Sequence, residues 1–164
     1  MAQVGSRAVD KFVGILKSDG GLSMGLASVS AAANIELPSL GDRQVMAQNI
    51  AAELEEKTTG AQYPCYHVYC EKLSNTLKEK FRSFSGTARM VAEVRVSQDR
   101  LEQIETKLQH YVDGVIEVLD ANRGDWGGGM FYSGGYEVVF QPVKHGGKNF
   151  LQMAKVTFEV NMSL

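Results

Sequence analysis

The sequence predicts an α+β fold: a four-stranded, largely antiparallel sheet with a long helix packed on one face and additional N-terminal helices. Three observations carry this. In LQMAKVTFEVNMSL (151–164), Ala154, Val156, Phe158, Val160 and Met162 alternate with Lys155, Thr157, Glu159, Asn161 and Ser163. That period of two marks a half-buried strand. Tyr136, Val138 and Phe140 alternate likewise just before it, and KHGGKN (144–149) supplies a Gly-Gly pair where a hairpin needs positive φ. Finally, Leu101, Ile104, Leu108, Tyr111, Val112, Val115 and Leu119 form the apolar stripe of a helix over 98–121, the natural cover for such a sheet.

The other elements follow in chain order. Val4, Ala8, Val9, Phe12, Val13 and Leu16 predict a helix over 4–17, ended by Asp19-Gly20-Gly21. Residues 22–38 are rich in Ala, Ser and Gly and fit an arm, a small-residue helix or an extended segment equally well. Ser39 offers a cap, with Asp42 three residues on. Val45, Met46, Ile50 and Leu54 then predict a second helix to Lys57, stopped by Gly60. YPCYHVYCEK (63–72) is aromatic and β-branched and reads as a strand. Leu73, Leu77, Phe81 and Phe84 predict a short helix capped by Ser74 and broken by Gly86. Over 89–96, Met90, Ala92, Val94 and Val96 point inward and Arg89, Glu93 and Arg95 outward. Ser97 is the expected cap of the long helix. One domain over 1–164 follows, with a helical region or arm over 1–60 and an α+β core over 61–164.

The chain has 164 residues and a formal net charge of −2. That charge gives no overall basic balance for nucleic acid. No apolar run approaches the roughly 18–20 residues of a membrane span, and the N-terminus lacks a signal-peptide core. The two cysteines, Cys65 and Cys70, lie five apart in one predicted strand and point to opposite faces, so two free thiols and a reducing cytoplasm are expected.

No catalytic or cofactor apparatus emerges. Cys65 and His67 share a strand face, but zinc needs three or four ligands, and a partly buried aromatic strand is the expected reading. A Cys–His nucleophile needs facing geometry and an orienting third group. Gly127 and Gly129 begin a GxG, but position 132 is Tyr, and the cluster follows a helix where the dinucleotide fingerprint follows a strand. Glu53, Glu55, Glu56, Glu102 and Glu105 fall on polar helix faces, as a solvated surface or subunit contact. Trp126, the one tryptophan, sits beside Met130, Phe131 and Tyr132 in a glycine-rich loop. It either folds back onto the sheet or anchors a partner.

The run YPCYHVYCEKL (63–73), the strand–helix passage from FSGTARMVAEVRVS (84–97), and the closing GGGMFYSGGYEVVFQPVKHGGKNFLQMAKVTFEV resemble tail-terminator and tail-completion (neck) proteins of long-tailed bacteriophages. The likeness covers about 61–164. It implies a non-enzymatic virion protein, assembled in the host cytoplasm. Its copies would form a ring, usually a hexamer, that caps the tail tube and joins tail to head. The implied partners are the tail tube protein and head–tail connector proteins, with DNA passing through unread and no membrane contact. No cofactor or metal is implied. A head-side connector or stopper is the neighbouring role, and a small α+β ligand-binding module the contrasting one. The expected contact residues are Asp125, Trp126, Met130, Phe131 and Tyr132 in the glycine-rich loop, and Lys144, His145, Lys148 and Asn149 in the turn. On this expectation, deleting 126–133 leaves a folded subunit that cannot assemble.

Overall fold

The structure, a computed structural model, describes residues 3–58 and 62–164. The architecture is α+β but not a four-stranded sheet under one long helix: the described residues form four helices and a curled, mixed, eight-stranded half-barrel. The helices are α1 (Val4–Lys17), α2 (Leu22–Ala33), α3 (Ala52–Thr58) and α4 (Ile104–Ala121). The strands are β1 (Val45–Met46), β2 (Cys65–Asn75), β3 (Ser85–Gln98), β4 (Gly124–Gly127), β5 (Met130–Tyr132), β6 (Glu137–Phe140), β7 (Lys144–Gly146) and β8 (Asn149–Ser163).

The sheet is built on β3 and β8, paired antiparallel from Ser85↔Ser163 to Gln98↔Phe150. β2 lies antiparallel on the far side of β3, and β1 is added parallel at Tyr66 and His67. The other side of β8 is shared in succession by β5, β6 and β7. Ala88, Met90, Ala92, Val94 and Val96 of β3 meet Ala154, Val156, Phe158, Val160 and Met162 of β8 on one face. Phe12 and Leu16 of α1, and Leu108, Val112, Val115 and Leu119 of α4, complete that core.

Several expectations are corrected. The undecided stretch 22–38 holds α2, whose Leu22, Gly25, Leu26 and Val29 are buried. It packs against α4: a Cβ on Gly25 would lie 2.6 Å from the Gly114 carbonyl oxygen, and one on Gly114 would lie 2.6 Å from Leu26 Cδ2. The small residues that blur its periodicity are what permit this approach. The helix predicted over 45–57 begins instead as β1, because Val45 and Met46 pair with β2, and Gln44 Nε2 donates to the Pro64 carbonyl at 2.8 Å. Only 52–58 is helical there. The stop at Gly60 and the Glu56 side chain lie outside what is described.

No helix follows residue 73. β2 continues to Asn75 because Leu73, Ser74 and Asn75 find cross-strand partners in Ala88, Thr87 and Gly86. Leu77 and Phe81, half of the supposed apolar stripe, are exposed at the tip with φ of 47° and 68°. The long helix starts at Ile104, not at 98: Ser97 lies within β3, and Gln98 Nε2 donates to the carbonyls of Arg100 and Glu102, fixing a turn first. The glycine-rich loop is itself a hairpin, β4–β5. Gly128 turns it with φ 62°, and Gly129 must lack a side chain, since a Cβ would sit 2.1 Å from the Ser163 carbonyl oxygen.

Candidate functional site

The expected contact residues divide into two groups at opposite ends of β8. β5 pairs at Met162 and Asn161, whereas β7 pairs at Leu151, Phe150 and Asn149. At about 3.3 Å per residue, these places are on the order of 35 Å apart along the strand. They do not make one surface.

In the first group, Trp126, Met130 and Tyr132 are core residues. Trp126 stacks on Phe12 at 5.8 Å, packs against Tyr132 and Phe158, and donates its indole N–H to the Asn122 carbonyl at 2.7 Å. Phe131 is exposed, and Asp125 is too, its carboxylate accepting from Gly127 N at 2.7 Å. Deleting 126–133 removes three core side chains and therefore cannot separate folding from assembly.

In the second group, Lys144 meets an acidic neighbour within its own chain, Glu53 at 2.9 Å. That bond holds the Glu53 carboxyl below the usual carboxylate range. His145 packs edge-on against Phe150 at 5.9 Å, and Lys148 and Asn149 are exposed.

Between the groups lies an edge that the sequence reading passed over. β6 pairs only with β8, so among the described residues its outer backbone edge is open. Tyr136, Val139 and Phe140 beside it are all exposed large hydrophobics. Val139 and Phe131 share the face away from the main core, as their β8 partners Lys155 and Asn161 do. At the opposite edge, only Tyr66 and His67 of β2 are covered by β1, and Tyr69–Leu73 line a groove with Gly5, Val9 and residues 47–49. The β2–β3 tip carries Leu77 and a fully exposed Phe81 among Lys78, Lys80 and Arg82. A separate, mainly apolar cavity of about 600 Å³ lies between α2 and residues 37–45, with the Lys17–Asp42 ion pair among its lining residues.

The face of the sheet turned away from the main core holds a buried polar cluster. Glu93 and Arg95, expected to point into solvent, are buried, with Glu55 of α3 and the Ile50 carbonyl placed on Arg95. Register sets Cys65 opposite Arg95 and His67 opposite Glu93. Glu55, expected on a solvated helix face, comes down from α3 at 1% exposure. Its Oε1 meets His67 Nε2 at 2.9 Å and its Oε2 accepts from Arg95 at 2.6 Å. Arg95 also donates to Glu93 at 3.0 Å and to the Ile50 carbonyl.

Burial, then the neighbouring Arg95, holds His67 below its ordinary value. Burial, reinforced by Glu55, pushes the Cys65 thiol up to about 12, so it is no nucleophile in this setting. For Arg95, burial works against the charge, but Glu93 and Glu55 more than offset it, and its pKa is raised. Cys65 and Cys70 are both free.

No helix is long and apolar enough to cross a membrane among the described residues. No protein-family model matches the chain, and no curated protein matches it significantly.

Proposed function

We propose that this chain is a structural subunit of the neck of a long-tailed phage, a tail terminator or completion protein whose copies close into a hexameric ring. The observation that carries the reading is a sheet that, among the described residues, has two unlike open edges. β6 offers an exposed apolar edge, and β2 offers a groove-flanked one. An unpaired edge with apolar flanks is a template for another strand unless it is blocked. Two different edges make a heterologous contact, which closes as a ring when each step turns enough.

Strand direction suits this. Three antiparallel steps lead from β2 through β3 and β8 to β6, so β6 runs opposite to β2. A neighbour rotated about an axis along the strands would therefore lay its β2 antiparallel on β6. The curl of the sheet supplies turn toward closure. The basic, Phe81-bearing β2–β3 tip then becomes the arm offered to the tail tube or to a connector protein. The net charge of −2 suits a ring through which DNA passes without being gripped.

The test is light scattering across a concentration series, with negative-stain images, on the wild-type chain and Val139→Lys. The expected result is rings of wild type and a single-chain mass for the variant, whose stability should stay within about 0.5 kcal/mol, as at other exposed sites. A wild-type chain that stays monomeric and ignores tail-tube ends overturns the reading. Rings undisturbed by the lysine overturn the edge contact.

A further inference from the structure

We infer that Glu55, Cys65 and His67 form a binding site for one divalent transition-metal ion of the zinc class. Three observations carry this, independently of the ring. First, one ligand atom from each residue lies within 4.8 Å of the others, and all three residues are buried. Carboxylate oxygen, thiolate sulfur and imidazole nitrogen are the donor types of tetrahedral zinc sites.

Second, the oxygen–nitrogen pair nearly has the required spacing already. With metal–oxygen and metal–nitrogen bonds of about 2.0 Å, tetrahedral ligands stand about 3.3 Å apart. Glu55 Oε1 and His67 Nε2 stand at 2.9 Å, so a few tenths of an ångström admit an ion between them. Arg95, on the other Glu55 oxygen, holds that carboxylate in place, as outer-shell partners of metal ligands do.

Third, the cluster holds polar atoms that nothing satisfies: His67 Nδ1 and Arg95 Nε are buried and, among the described residues, without a hydrogen-bond partner. When a divalent ion binds, the proton between His67 Nε2 and Glu55 moves to the unpartnered Nδ1 and Nε2 bonds the metal, while the Cys65 S–H breaks, the sulfur–metal bond forms, and the thiol proton leaves to solvent. The fourth tetrahedral position is left to a water.

Because the ligands are buried, the ion enters as the chain folds. The experiment is refolding of the full chain with one equivalent of Co²⁺, read by the thiolate-to-cobalt charge-transfer band, together with the zinc content of protein expressed in zinc-supplemented medium. The chain has two cysteines, so a band retained in Cys70→Ser assigns the thiolate to Cys65 without needing a Cys65 variant to fold. We expect one ion per chain and a band kept in Cys70→Ser. Cys65→Ser and His67→Gln should weaken affinity by more than about 100-fold, since outer-shell losses alone approach that. No retained metal, no thiolate band, a band lost in Cys70→Ser, or affinity unchanged in Cys65→Ser each overturns the site.

Discussion

Replacing Trp126 with alanine separates a core tryptophan from a partner anchor. The indole is 6% exposed, stacks on Phe12 at 5.8 Å and donates to the Asn122 carbonyl at 2.7 Å. Truncating a buried Trp costs about 3–5 kcal/mol. Within that total, the hydrogen bond contributes about 1 kcal/mol and each aromatic pair about 0.5–1.5 kcal/mol. About 4 kcal/mol is the expected loss, or roughly 8–16 °C in melting temperature for a chain of this size. Trp126→Phe keeps the stack but strands the carbonyl, at about 1–2 kcal/mol. Urea denaturation followed by circular dichroism measures both, and a coupling of about 0.5–1.5 kcal/mol in a cycle with Phe12→Ala isolates the stack. If Trp126→Ala cost under about 1 kcal/mol yet abolished assembly, the indole would be an anchor and the packing described here would be wrong.

Other outcomes follow from the same packing. His67 is held below its ordinary value of 6.5, so below that pH the unfolded chain binds a proton that the folded chain resists. Stability should be full above about pH 6.5 and fall as the pH drops through the window beneath it; urea titrations at several pH values should show a shallower fall in His67→Gln. A methyl group at Gly25 meets rigid backbone, whereas one at Gly114 meets the tip of Leu26. Gly25→Ala should therefore cost about 1–3 kcal/mol and Gly114→Ala distinctly less, since overpacking is relieved only where the neighbour can move. With its thiol pushed up to about 12 and fully buried, Cys65 should resist alkylation in the native state, while half-buried Cys70 reacts first; peptide mass spectrometry after brief labelling reads the order.

Where one side of an element faces a single large core, the sequence declared it. The alternation in β8 and the stripe on α4 are both read from the chain, because each repeats the period of its own backbone. The failures have physical causes too. Leu73, Leu77, Phe81 and Phe84 mimic a helix, yet residues 73–75 are captured by β3 pairing that local spacing cannot register. α2 buries its apolar side against another helix through glycines, so small residues replace large ones. The buried cluster was least legible. Glu93 and Arg95 read as a solvated face until a second covering element is known, and the register that sets His67 beside Glu93 depends on residues more than twenty apart. The signal that was present, Cys65 and His67 on one strand face, lacked its third member because Glu55 lies on a separate helix.

That helix explains why charges are buried at all. α3 has seven residues, too few to be stable alone. Among its first four residues Ala52 and Glu55 are buried while Glu53 and Leu54 are exposed, so that turn offers little apolar surface to dock. Its described attachments include ionic ones: Glu55 reaches down to His67 and Arg95, and Glu53 reaches across to Lys144 on β7. An apolar replacement of the cluster would cover the sheet as well, since buried ion pairs are often no more stabilising than the hydrophobic side chains that replace them. It would not fix where α3 sits. Directional bonds do, and through Lys144 they tie the covered face of the sheet to the hairpin at the end of β8. Bound metal would tighten the contacts of Glu55 with His67, while the exposed Glu53–Lys144 pair adds only a weak link to the β7–β8 turn.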